Sequence, residues 1–103
     1  MENYISKAHE TKYDAIAVKV VEAVCSVYGC DFVHVVSITD TIFKKIVVYI
    51  LVKNYNVDVK YISKTFRIGA LYVPTVVTYI TEKIGQTVFF KMYYNEILKK
   101  IDL

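Results

Sequence analysis

A chain of 103 residues is long enough for one domain with a modest hydrophobic core and too short for two. Because 55% of the residues are hydrophobic and 22% are charged, the composition excludes an intrinsically disordered chain, which lacks the apolar surface that offsets the entropy of ordering. The net charge of +3 permits an anionic partner, although dedicated nucleic-acid-binding domains usually have a stronger basic bias, with a pI above about 9.

Hydropathy argues against a membrane protein. No apolar run reaches the roughly 20 residues that a transmembrane helix needs, because lysines at positions 44, 45, 53 and 60 interrupt the most hydrophobic stretch. The start of the sequence, MENYISKAHETKYDA, has no apolar segment of the kind found in a signal peptide. We therefore expect a cytoplasmic protein with no membrane partner.

The first predicted helix has apolar residues at the i, i+3, i+4, i+7 spacing of a helix that buries one face. These residues are Tyr13, Ile16, Ala17, Val20, Val21, Val24 and Val27. Thr11 is expected to cap the start of this helix and Gly29 to end it, which leaves residues 1–10 as an N-terminal arm. The next segment, CDFVHVVSITD, has β propensity, but a single strand would have no pairing partner. We expect an irregular connection with one helical turn at residues 33–36.

Cys25 and Cys30 lie in this region, on either side of Gly29. A zinc site needs more ligands at suitable spacing, and only His34 is near, so we expect no metal site. A disulfide is not expected in the cytoplasm. We interpret the two cysteines as small core residues and His34 as a hydrogen-bonded packing residue.

A long helix is predicted over TIFKKIVVYILVKNY, after a cap at Thr39 or Asp40. Its inner face is expected to contain Phe43, Ile46, Val47, Ile50 and Leu51, with Val48, Tyr49 and Val52 widening the apolar stripe. Such a wide stripe is typical of the most buried helix of a small bundle.

Two shorter helices are predicted next, on either side of a break that contains Gly69. The first is expected to start at an Asp58 cap. Its inner residues are expected to be Val59, Ile62 and Phe66, and its outer residues Lys60, Lys64 and Arg67. The second is expected to have Pro74 in its first turn and Gly85 as its C-terminal cap. Its inner residues are Val73, Val77, Ile80 and Ile84, and its outer residues are Thr75, Thr78, Glu82 and part of Tyr79.

The last predicted helix follows a Thr87 cap and has Phe90, Tyr93, Tyr94, Ile97 and Ile101 on one stripe. Its aromatic residues could stack on single-stranded nucleic acid, but a single stripe favours packing on the domain or on a second copy of the chain. A homodimer through this helix is therefore one expected assembly. The predicted fold is an all-α bundle with a helix-turn-helix in residues 11–85 and an extra C-terminal helix in residues 86–103.

Three motifs carry a resemblance to a known family. A helix ends in the aromatic-Gly pair Tyr28-Gly29, KKIVVYIL is similar to A-R-Q-x-A-M-Y-L with Lys44 at the Arg position, and DVKYISKTF is similar to S-L-P-E-I-G-R-A-F with Lys64 at the Arg position. Over residues 12–84 the chain resembles the C-terminal DNA-binding domain of the bacterial chromosomal replication initiator DnaA. This resemblance implies a Trp-repressor-like helix-turn-helix fold and duplex DNA as partner.

The sequence departs from that family where the family contacts DNA. Before the long helix, SITDTIF contains Asp40 and no basic residue until Lys44, whereas the family has several phosphate-binding Arg and Lys residues there. The family signature is similar to G-G-R-D-H-[ST]-T-V. Here FRIGALYVPTVV keeps Thr75 and Val76 but lacks the Arg-Asp-His that contacts bases and backbone. The family's base recognition therefore cannot be transferred to this chain.

The remaining polar residues define a candidate DNA surface. If the fold is as the resemblance implies, the residues expected to contact phosphates are Lys44, Lys45, Lys60, Lys64 and Arg67. Base contacts would then fall to Tyr72, Thr75, Thr78 and Tyr79, through hydroxyls or a thymine methyl group. The alternative for both sets is an ordinary solvated surface.

The sequence does not predict an enzyme or a cofactor. It has no paired carboxylates, no Gly-rich phosphate loop, and no Ser or Cys with a His and an acid at a meaningful spacing. Two functions remain. The first is a DNA-binding helix-turn-helix protein without the family's ATPase domain, acting as a regulator or accessory factor in DNA replication. The second is a protein-interaction or dimerisation module on the same fold that has lost base-specific reading.

Overall fold

Apolar residues at helical spacing produce helices along the whole described part of the chain. The computed structural model describes the backbone of residues 4–101 and the side chains of residues 12–101. Its helices are α1 (Tyr4–Tyr28), α2 (Val33–Val36), α3 (Ile42–Tyr55), α4 (Val59–Phe66), α5 (Val73–Gln86) and α6 (Val88–Ile101). Residues 4–101 contain no strand, so the predicted all-α bundle is confirmed. The single helical turn predicted at residues 33–36 is α2.

Helix α1 ends as predicted but starts earlier. Gly29 adopts a left-handed φ of 67°, and its N–H donates to the carbonyl of Cys25 at 2.8 Å, which closes the helix. At the other end α1 begins at Tyr4, so Thr11 lies inside the helix and the prediction of a Thr11 cap was wrong. No Gly or Pro lies between residues 4 and 11 to interrupt the helix.

Helix α3 forms the centre of the bundle and packs against α1, α2, α4 and α5. Six consecutive residues from Ile46 to Leu51 are buried, as the wide apolar stripe predicted. Its N-cap is Thr41 rather than Thr39 or Asp40. The Thr41 hydroxyl accepts from the N–H of Lys44 at 3.1 Å and donates to the carbonyl of His34 at 2.5 Å, so it joins α2 to α3.

Helices α4 and α5 are joined by the predicted turn. Asp58 is the N-cap of α4, although its side chain makes no capping hydrogen bond. The left-handed residue that ends α4 is Arg67, at φ 54°, whereas Gly69 has a φ of −61° that any residue adopts. A 3₁₀ turn over Ala70–Tyr72 then leads into α5, with Pro74 in its first turn as predicted.

The end of α5 differs from the prediction. Gly85 does not cap the helix, which continues to Gln86, and the N–H of Thr87 donates to the carbonyl of Lys83 at 3.1 Å. Val73, Val76 and Ile80 are the buried residues of α5. The predicted inner residues Val77 and Ile84 are half-buried.

Helix α6 packs on α1 and α5 of its own chain. Phe90, Ile97 and Ile101 are buried there, as predicted, and Tyr94 packs edge-on against Tyr49 with ring centroids 5.8 Å apart. Tyr93, the remaining member of the predicted stripe, is exposed. No helix of residues 4–101 is long and apolar enough to cross a membrane.

The two cysteines pack at the edge of the core. Both are half-buried and reduced, and their sulfur atoms lie 3.6 Å apart. Burial and, to a smaller extent, a hydrogen bond with Cys30 together raise the pKa of Cys25 to about 11. Within residues 12–101, no group of three His, Cys, Asp or Glu side chains is arranged to hold a metal ion.

The raised pKa of Cys25 predicts a loss of stability at alkaline pH. A group whose pKa is higher in the folded state stabilises the fold fully below its unfolded pKa, and this stabilisation is lost as the pH rises through the folded value. For Cys25 the loss runs from about pH 9 to about pH 11. Urea unfolding of the wild type and of Cys25→Ala should therefore show a difference in stability that narrows across this range. A constant difference would contradict the prediction.

Candidate nucleic-acid interface

The candidate interface is built on the outer face of α5. The inner residues Val73, Val76 and Ile80 are buried and fix the rotation of the helix against α3. The opposite side therefore faces solvent, and Thr75, Thr78, Tyr79 and Glu82 are all exposed. With Pro74 these four residues line an open groove of about 450 Å³. We call this surface the α5 outer face; it contains three of the four residues predicted to read bases.

The fourth predicted base-reading residue, Tyr72, is at the N-terminal end of α5. It is 38% exposed, and its hydroxyl donates to Oδ2 of Asp40 at 3.2 Å. The same Asp40 oxygen lies 3.6 Å from Nζ of Lys45. The carboxylate of Asp40 therefore contacts both Tyr72, which was predicted to read bases, and Lys45, which was predicted to bind phosphates.

Lys45 also connects α3 to the middle of α5. Its Nζ lies 5.0 Å from the ring centroid of Tyr79, a cation–π contact. Lys83, one turn further along α5, lies 5.9 Å from the same ring and 5.3 Å from the ring of Phe90. Two ammonium groups therefore contact the Tyr79 ring and help to orient it on the α5 outer face. Lys83 was not among the predicted phosphate-binding residues.

Lys44 is buried, which corrects its predicted role as a phosphate contact. Only 1% of the residue is exposed, and its Nζ donates to the carbonyl of Ser37. Burial lowers the pKa of Lys44, nearby Asp40 opposes this shift, and Arg67 adds to it. Lys44 therefore ties the loop before α3 to the core.

The spacing of α3 contained a signal for this burial. Residues 47, 48 and 51 follow Lys44 at i+3, i+4 and i+7, and all three are buried, so Lys44 lies on a buried stripe. The prediction assigned charged residues to the surface by type rather than by this spacing.

The cations of α4 remain at the surface. Lys60 and Lys64 are exposed and share one side of the helix by their i, i+4 spacing. Arg67 is exposed at the end of α4, where it lines a small cleft of about 160 Å³ with Ile38, Asp40, Gly69 and Tyr72. Arg67 therefore lies beside the start of α5. Leu71, at the tip of the turn between the two helices, is 95% exposed.

His34 is hydrogen-bonded, as expected, but it is exposed rather than packed in the core. Its Nδ1 accepts a hydrogen bond from the N–H of Asp31 at 3.1 Å, and its ring lies 6.3 Å from the ring of Phe43. These contacts stabilise the turn that leads into α2.

The cationic groups of the interface occupy three positions along α5. Arg67 lies at its start, Lys45 at its middle and Lys83 near its end. Between them the α5 outer face offers hydroxyls and methyl groups of Thr75 and Thr78, together with the Tyr79 ring. Such a surface can contact phosphates through its edges and bases through its centre.

Comparisons with known proteins identify no relative: no family model, no curated protein and no solved structure matches the chain. The resemblance to the replication initiator's DNA-binding domain stays a prediction.

Proposed function

We propose that this protein binds double-stranded DNA by placing α5 in the major groove, as a helix-turn-helix protein similar to the DNA-binding domain of the replication initiator. A regulator or accessory factor of DNA replication is the role that fits this proposal. The observation that carries it is the α5 outer face, a polar helix surface that the described residues leave exposed and border with cations.

The dimensions of α5 suit a DNA groove. A helix of 14 residues is about 21 Å long, and an α-helix fits the B-DNA major groove, which is about 12 Å wide. Thr75 and Thr78 lie one turn apart on the exposed side, so both can face successive base pairs. Neither offers the bidentate hydrogen bonds by which Arg reads guanine, and we therefore expect weak sequence discrimination.

Affinity would come mainly from phosphates. Once the buried Lys44 is removed, the predicted phosphate-binding residues are Lys45, Lys60, Lys64 and Arg67. Four phosphate contacts imply a slope of about −3.6 for the logarithm of the binding constant against the logarithm of the salt concentration. Lys45 will contribute less than a full contact while Asp40 is paired with it. The expected slope is therefore between about −2.7 and −3.6.

A fluorescence-anisotropy titration with a mixed-sequence duplex at several salt concentrations tests the proposal. We expect sub-micromolar affinity at low salt and the slope given above. Absence of binding at tens of micromolar protein in low salt would contradict the proposal and would favour the alternative function, a protein-interaction module on the same fold.

Asp40 gives a second test, since its carboxylate competes with DNA phosphates for Lys45 and Tyr72. Asp40→Asn removes one negative charge from the interface and releases Lys45. We expect DNA affinity to rise by up to about tenfold at low salt and the slope to steepen by up to about 0.9. Glu96→Gln on α6 removes the same charge away from the interface and serves as the control. Equal effects of the two substitutions would show that only net charge matters.

A further inference from the structure

A second surface of the molecule is apolar and lies on α6. Outside the stripe of the buried residues Phe90 and Ile97, the residues Val88, Phe89, Met92 and Tyr93 are 73%, 71%, 55% and 46% exposed. We call these four residues the α6 outer face. Because they fall on adjacent turns, they form a continuous patch rather than scattered exposed residues, and patches of this kind mark interaction sites.

Ring contacts hold one edge of this patch in place. The Tyr93 ring lies 5.0 Å from the ring of Tyr28 on α1, which in turn lies 5.4 Å from the ring of Phe43 on α3. A side chain held by packing loses little rotamer entropy when a partner binds. Aromatic residues and Met are also the types enriched at the centres of protein interfaces. The patch is therefore better suited to a protein partner than to solvent.

The charges around the patch restrict the partner. Phe89, Met92 and Tyr93 line a groove of about 400 Å³ whose rim is formed by Asn95, Glu96 and Lys99. Glu96 and Lys99 pair with each other at 3.2 Å, so the rim has no excess of either charge. A partner with a strong charge of one sign would meet no net opposite charge on this rim. A second copy of the chain presents the same apolar side chains, which can pack against this patch. It also presents the same Glu96 and Lys99, so each charge on one rim can face the opposite charge on the other.

We propose that two copies of this chain form a symmetric dimer through their α6 outer faces, with Phe89 and Met92 at the centre. A two-fold interface uses the same patch on both copies, so each Phe89 can enter the groove of the other copy. The four exposed side chains offer on the order of 500 Å² per copy, or about 1,000 Å² in total, which is the range of weak and transient interfaces. The dimer should therefore dissociate at micromolar concentrations. This inference does not depend on DNA binding.

Analytical ultracentrifugation of the full chain, without DNA, from about 1 µM to about 500 µM tests the dimer. The wild type should shift from the monomer mass of 11.9 kDa to twice that mass as the concentration rises. Phe89→Glu and Met92→Glu should each weaken self-association by at least about tenfold, because a charge would be buried at the interface. Circular dichroism of both variants checks that they fold, which the exposure of the two side chains leads us to expect.

Leu71→Glu is the matched control. It places the same charge on an even more exposed apolar residue, at the opposite end of α5 from the start of α6. It should dimerise like the wild type. A wild type that stays monomeric up to the highest concentration would overturn the proposal, as would a dimer that both α6 variants leave intact or an assembly that grows beyond two copies.

Discussion

The double substitution Lys64→Ala/Arg67→Asn is expected to weaken duplex DNA binding by about 200-fold in 50 mM salt and by about 20-fold in 200 mM salt. Each phosphate contact contributes about 0.9 to the salt slope, or about 1.2 logarithmic units of affinity at 50 mM. Removing two contacts should also reduce the slope by about 1.8. Asn is chosen at position 67 because Arg67 has a left-handed φ of 54°, which Asn tolerates better than Ala.

The matched control for this experiment is Lys99→Ala/Lys100→Ala. It also removes two positive charges, but from exposed positions of α6 outside the candidate interface. Both double variants have the same net charge, so a difference between them reports position rather than charge. Equal loss of affinity in the two variants would show that DNA is attracted by net charge alone and would contradict an interface on α4 and α5.

The substitution Ile97→Ala is expected to lower the free energy of unfolding by about 2–5 kcal/mol. Ile97 is fully buried where α6 packs against the bundle, and its truncation leaves a cavity. Since domains of this size are stabilised by about 5–15 kcal/mol, the loss is a large share of the total. Urea unfolding followed by far-UV circular dichroism measures it.

Phe89→Ala on the opposite side of α6 is the comparison. Phe89 is 71% exposed, so its truncation should change the stability of the monomer by no more than about 0.5 kcal/mol. Ile97→Ala tests whether the buried face of α6 is part of the core. Phe89→Ala tests whether the exposed face is free of contacts that stabilise the monomer. A cost below about 1 kcal/mol for Ile97→Ala would mean that α6 is not a structural part of the domain.

Local signals in the sequence predicted most of the fold. Apolar spacing predicted the buried centre of α3. The backbone restrictions of Pro74 predicted the start of α5, and the lack of a pairing partner for a single strand favoured the helical turn at α2. Helix ends were predicted less well. The N-cap of α3 was predicted at Thr39 or Asp40, but it is the neighbouring Thr41, whose hydroxyl also donates to the carbonyl of His34, seven residues away.

The candidate site was harder to predict because its contacts join distant parts of the chain. Asp40 and Tyr72 are 32 residues apart in sequence, and the position of Lys45 next to Tyr79 depends on how α3 crosses α5. No local pattern contains such contacts. Lys44 is a different case: its spacing places it on the buried stripe with Val47, Val48 and Leu51, whereas its charge predicts exposure.

In the proposed complex, DNA lies against α4 and the α5 outer face. Chemical-shift mapping by NMR, with isotope-labelled protein titrated with a short duplex, tests this most directly. We expect the largest shifts at Lys60, Lys64, Arg67 and the residues from Leu71 to Tyr79, while the signals of Phe89 to Lys99 stay in place. Shifts that cluster on α6 and leave Thr75 and Thr78 unchanged would contradict it.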